Sequence, residues 1–148
     1  MNVPDAADWS LGRLLSTAAR MIEHDWNAWL ATHDLTHAGL LALHALEDGP
    51  LTQRKLAAAS RVEEQTMSRV VARLERAGYV SRERDPSDHR RLVIARTSHG
   101  SEVFARVQAA GVSDQLVERW IDDPQQFRAE LVRLVSAGRA AVPNDQDG

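Results

Sequence analysis

The nineteen residues from Arg73 to Arg91, RLERAGYVSRERDPSDHRR, decide the fold. Their period changes in the middle. Up to Ala77 the spacing is helical, with Leu74 continuing an apolar stripe of Met67, Val70 and Val71, and Gly78 is suited to the left-handed conformation that ends a helix. Beyond it, Tyr79-Val80-Ser81-Arg82-Glu83-Arg84 and Arg91-Leu92-Val93-Ile94-Ala95-Arg96 are β-prone, and Asp85-Pro86-Ser87-Asp88-His89-Arg90 between them is rich in turn residues. The stretch therefore predicts a helix followed by a β-hairpin with a polar, basic tip.

Working upstream, the helix that ends at Ala77 starts near Glu63, where Val62 and Met67 form a hydrophobic staple. Its face opposite the apolar stripe carries Gln65, Ser68, Arg69, Ala72, Arg73 and Arg76, a set of amide, hydroxyl and guanidinium donors with little apolar bulk. Only Ser60, Arg61 and Val62 separate this helix from an earlier one that Thr52 caps, with Leu51 and Leu56 as its staple. Two short helices joined by about three residues have helix-turn-helix spacing. Before them, Thr36 caps a helix to about Glu47, with Leu40, Leu43 and Leu46 on one side and Asp48-Gly49-Pro50 as its stop. From Asp8 to about Ala31, Leu11, Leu15, Ala18, Ile22, Trp26 and Trp29 recur at three or four residues, which predicts a long amphipathic helix that His33 and Asp34 interrupt.

Downstream, Thr97 caps a helix expected to run unbroken from Ser98 to about Trp120, with Val103, Phe104, Val107, Gly111 and Leu116 roughly on one side. Asp122-Asp123-Pro124 ends it and starts the last helix, with Asp123 as cap, Pro124 at the first helical position and Gln126 closing a capping box. Phe127, Leu131, Leu134 and Val135 form that helix's stripe, and the tail from Pro143 to Gly148 is expected to fray.

With 148 residues, 43% of them apolar and 26% charged, the chain fits one compact domain and excludes disorder and collagen-like repeats. It holds no cysteine, which excludes disulfides, thiolate zinc sites and thiol redox sensing. No run approaches the ~18 consecutive apolar residues of a membrane span, and Met1 to Trp9 has neither a basic nor an apolar leader segment, so a cytoplasmic protein is expected. The net charge of −3 hides an asymmetry. Thr52 to Thr97 holds eleven Arg or Lys against six acids, while the remainder holds seven against fifteen. A basic working face on an acidic body suggests a nucleic-acid partner; a merely solvated charged surface is the competing reading.

The order of helix, helix, helix-turn-helix, basic hairpin and further helices resembles the multiple-antibiotic-resistance regulator (MarR) family of bacterial transcription factors. The resemblance covers Leu35 to Gly100 most closely, through LTHAGLLALHALEDGPLTQRKLAAAS, TMSRVVARLERAGYVSRERDPSDHRR and RTSHG. It implies a mostly α fold with a small β-hairpin wing. A winged helix-turn-helix lobe at about 35–97 is framed by dimerisation helices at about 8–33 and 98–141, all within one domain. It also implies a homodimer on an inverted-repeat operator with half-sites about 10 base pairs apart. The terminal helices bear Trp9, Trp26, Trp29, Trp120, Phe104 and Phe127, which either serve that dimer or fill the core of one chain.

Matched position by position, Gln65, Thr66, Ser68, Arg69 and Arg73 fall on the family's exposed recognition-helix positions. Arg69 or Arg73 can fork onto guanine and Gln65 can pair with adenine, while Ser68 and Thr66 can donate to bases or phosphates, unless Thr66 packs inward. Asp88 and Arg90 match the family's Asp-x-Arg wing element, in which the carboxylate orients an arginine in the minor groove; the alternative is that Asp88 only caps the turn. Arg54, Arg82, Arg84 and Arg91 are assigned to phosphates.

Two departures from the family stand out. Glu63 and Glu64 replace small or neutral residues, so Glu64 either reads a cytosine amino group or only stabilises the helix start. Arg96 replaces an apolar residue and is expected to reach the backbone or an acid.

The family's effectors are small, often aromatic or anionic, and here Trp26, Trp29, His33, His37 and His44 are the candidate lining; the competing reading makes the tryptophans core. His33, His37 and His44, with Asp34 and Glu47, also raise a metal-responsive variant, although no metal site or cofactor is assigned. No Gly-x-Ser-x-Gly elbow, His-Glu-x-x-His or phosphate-binding glycine loop occurs, which sets an enzyme last. A winged-helix module that docks on protein is the remaining alternative, and the arginines of the exposed helix face argue against it.

Overall fold

The computed structural model describes residues 5–140; the expected frayed tail lies outside them. The chain divides into two compact units, Met1–Val112 and Ser113–Gly148.

In the first unit a short 3-10 turn at Ala6–Asp8 precedes α1 (Leu11–Ala31), which starts three residues later than the apolar spacing suggests. Ser10 sets that start, because its hydroxyl accepts from the Arg13 amide. α1 ends in a Schellman-type turn: Asp34 is left-handed at φ 56°, and the amides of Leu35 and Asp34 return to the carbonyls of Leu30 and Ala31. There follow α2 (His37–Ala45), α3 (Gln53–Ser60), α4 (Glu64–Arg76), β1 (Val80–Arg84), β2 (Leu92–Arg96) and α5 (Ser98–Ala110). Thr36, Thr52 and Thr97 cap their helices through side-chain bonds to Gly39, Lys55 and Gly100, the three caps expected. Glu63 occupies the N-cap of α4 without a side-chain cap bond.

The strands pair antiparallel, with Val80 opposite Arg96 and Arg84 opposite Leu92. Leu51, just before α3, adds a bridge to Ile94 through two bonds of 3.0 and 2.7 Å, so the hairpin is anchored to the start of the helix-turn-helix. The core gathers Leu30, Leu35, Leu43, Leu56, Met67, Val71, Leu74, Ile94, Val103 and Val107. Each fully buried aliphatic side chain contributes roughly 1.5 to 3 kcal/mol, so the helix-turn-helix and the wing base form one folded block.

The expected helix from Ser98 to Trp120 is two helices. Gly111 takes φ 60° and closes α5, and α6 (Val112–Glu118) restarts immediately. Glycine, lacking a Cβ, enters that conformation at no steric cost.

α7 (Pro124–Ala140), in the second unit, begins as expected with Asp123 accepting from the Gln126 amide at 3.0 Å. The capping box is only half made, because the Gln126 side chain runs forward to Glu130 at 3.0 Å. Within this unit Val117, Ile121, Phe127, Leu131, Val132 and Val135 line a groove of about 390 Å³.

Candidate nucleic-acid interface

α4 is amphipathic in the manner its function requires. Met67, Val71 and Leu74 are buried, and Gln65, Thr66, Ser68, Arg69, Arg73 and Arg76 are all exposed. Thr66 therefore lies outside the core. Glu64, in the first turn, is exposed as well, where its charge suits the helix dipole. The left-handed conformation of Arg61, at φ 53°, makes the turn that aims this helix away from α3. Such a conformation disfavours residues other than glycine and asparagine, and no local residue pattern marks it.

The wing tip is organised by two aspartates. Asp85 accepts from both the amide and the hydroxyl of Ser87, at 2.9 and 2.8 Å, and its own amide donates to the Arg91 carbonyl. These bonds, first the Ser87 amide and then its hydroxyl, hold the Asp85 carboxyl below the usual carboxylate range against the opposing effect of desolvation, with lesser aid from the Arg91 charge and the Asp88 amide. Asp88 accepts from the Arg90 amide at 3.1 Å, so its carboxylate fixes the backbone that carries Arg90. Arg90 and Arg91 are exposed at the tip. The role of Asp85 was missed in the sequence, although Asp-Pro-Ser-Asp is itself a turn signal.

The other assigned arginines divide. Arg54 is exposed on α3. Arg84 donates to the His89 carbonyl at 3.1 Å, and Arg82 pairs with Glu75 of α4 at 3.5 Å. Arg96 reaches the backbone, donating to the Leu43 carbonyl at 3.1 Å near the end of α2 while its guanidinium lies 5.2 Å over the Phe104 ring.

A second constellation lies at the end of α1. Trp26 and Trp29 stack with centroids 5.5 Å apart, His33 lies 4.6 Å from Trp29, and Trp26 Nε1 donates to His37 Nδ1 at 3.2 Å. Four of the five effector candidates are thus brought together. His44 is elsewhere, stacked on Phe104 at 5.8 Å and 3.5 Å from Glu47. Both tryptophans are half-buried against the core, so they fill it and show an edge to solvent. Among the described residues no group of three or more His, Asp or Glu converges as a metal site would require.

Tyr79 links this region to the wing base. Its hydroxyl donates to the His33 carbonyl at 2.6 Å, and burial, then the charge of Asp34, raises its pKa against the opposing effect of Arg106, so it stays a protonated donor at neutral pH.

A three-residue turn between two short helices, an exposed donor-bearing second helix and a basic two-stranded wing define a winged helix-turn-helix DNA-binding regulator. Comparison with known proteins narrows this class. The sequence model of the MarR family matches residues 33–91. The transcriptional regulator HosA of Escherichia coli O111:H- is 31% identical over 103 residues, which are 68% of this chain and 76% of HosA. The regulator SarZ of Staphylococcus haemolyticus is 27% identical over 135 residues, 90% of this chain and 88% of SarZ. The crystal structure of the PcaV transcriptional regulator from Streptomyces coelicolor superposes with a TM-score of 0.71 at 27% identity, covering 89% of this chain and 98% of that one. The chain belongs to the MarR family and is a DNA-binding transcriptional regulator, not an enzyme. No helix among the described residues is long and apolar enough to cross a membrane.

Proposed function

We propose that this regulator is a cytoplasmic homodimer that represses transcription by occupying an inverted-repeat operator and is released by a small aromatic or anionic ligand. Within each operator half, Gln65, Ser68, Arg69 and Arg73 face base edges in the major groove, with Thr66 beside them. Arg90 enters the adjacent minor groove, while Arg54 and Arg91 neutralise phosphates. The observation that carries this reading is the contrast across α4: three core residues on one side, and on the other three arginines with three further polar groups, all exposed.

The dimer rests on the distribution of exposed apolar groups. Of the eight large hydrophobic residues exposed among the described residues, only Leu92 lies in the helix-turn-helix and wing. Leu11, Leu15 and Met21 lie on α1, and Trp120, Val132, Leu134 and Val135 lie in the second unit. A two-fold partner covering both sets would give each recognition helix one half-site.

The ligand reading rests on the stacked Trp26 and Trp29 with His33 and His37, flat apolar faces beside imidazole donors and acceptors. Selection of duplexes by the full chain from a random pool tests the function. The expected product is an inverted repeat with half-sites about 10 base pairs apart; a pool that stays unenriched refutes it.

A further inference from the structure

Arg82 looks from the sequence like one more phosphate contact, but its place in the fold differs from that of the arginines at the tip. It sits at the centre of β1, opposite Ile94, and shares its strand face with Val80. Val80 and Ile94 are 3% and 2% exposed, so Arg82 stands at the point where this face leaves the core. From there the Arg82 Nε reaches Glu75 Oε2, in the last turn of α4, at 3.5 Å. The two side chains are 36% and 45% exposed, so solvent screens the pair only in part. Only Ala77, Gly78 and Tyr79 separate α4 from β1 along the chain. The ion pair thus closes a tight corner between the recognition helix and the wing. Arg84, two residues on, is exposed but engaged with the His89 carbonyl within the hairpin, and Arg90 and Arg91 are exposed at the tip.

We propose that Arg82 is a positioning residue: through Glu75 it sets the wing at a fixed angle to the recognition helix, so that one rigid body meets the major groove with α4 and the minor groove with Arg90. This rests on the DNA reading given above. It divides the wing arginines into those that shape the wing, Arg82 and Arg84, and those that touch DNA, Arg90 and Arg91.

The test uses the full chain, a duplex enriched by the wild type from a random pool, and a salt series. R82Q and E75Q are each expected to weaken binding about two- to fivefold, the scale of a partly exposed ion pair. The double variant should lose no more than the worse single one, and the charge-swapped E75R/R82E should recover most of the loss. The slope of log affinity against log salt should stay at the wild-type value throughout, because no phosphate contact is removed. A slope reduced by about one unit in R82Q would assign Arg82 to a phosphate and overturn the proposal. So would E75Q binding more tightly than wild type.

Hydrogen exchange in the free protein gives an answer independent of DNA. Faster exchange at the amides of Val80–Arg84 in both R82Q and E75Q is expected, and unchanged exchange in both overturns the brace. If the wild type enriches no duplex, the DNA reading fails, and the exchange result alone decides whether the brace exists.

Discussion

At the scale of single residues, Gly100 has no room for a methyl group: a Cβ built there would lie 2.1 Å from the Tyr79 carbonyl oxygen. The helix start is pressed onto the wing base because Thr97 donates to the Gly78 carbonyl at 2.6 Å and also accepts from the Gly100 amide. Gly100→Ala should cost about 2 to 3 kcal/mol, read by urea denaturation, since the obstacle is backbone and cannot rotate away. Arg90→Ala should instead leave stability unchanged and cost about 1 to 3 kcal/mol of operator binding, read by titration at fixed salt. Several residues were legible in advance by chemistry alone. The threonine caps follow from hydroxyl placement before apolar runs, and the inward reach of Arg96 follows from a charge where an apolar residue is usual. Arg61 was not legible, because nothing local marks an arginine for a left-handed turn; the packing of α3 against α4 imposes it.

At the scale of elements, the wing base is held by apolar burial of Val80, Val93 and Ile94, whereas its tip is held by the carboxylates of Asp85 and Asp88, which makes the tip sensitive to acid. The folded Asp85 carboxyl is held below its ordinary value, so its contribution is complete at neutral pH and is lost as pH falls through the folded value. Amide protection of residues 85–91 should therefore persist down to the ordinary carboxylate range and fall below it. Asp85→Asn should remove that acid-dependent part, as followed by NMR and hydrogen exchange. The change of period at Gly78 made α4 and the hairpin readable, since a run of one period followed by another leaves little choice. The bridge between Leu51 and Ile94 was invisible, because it joins residues far apart in sequence and leaves no periodic trace. The break at Gly111 is masked in the sequence, because Val107 and Leu116 continue the apolar spacing across the glycine.

At the scale of the whole molecule, the described surface separates by chemistry into a basic region on α4 and the wing and apolar regions on α1 and the second unit. The dimer reading assigns the apolar regions to a second copy. It predicts that replacing Leu15 and Leu134 together by Glu converts a dimer at micromolar concentration into a monomer, as seen by sedimentation, with the helix-turn-helix still folded. A monomeric wild type would contradict it. The central claim is that α4 and the wing read sequence in DNA, and titration of the full chain on its selected duplex and on a scrambled duplex, over a salt series, tests this most directly. Two chains per selected duplex and a preference of ~10³ or more are predicted; equal affinity for the two duplexes would contradict the claim.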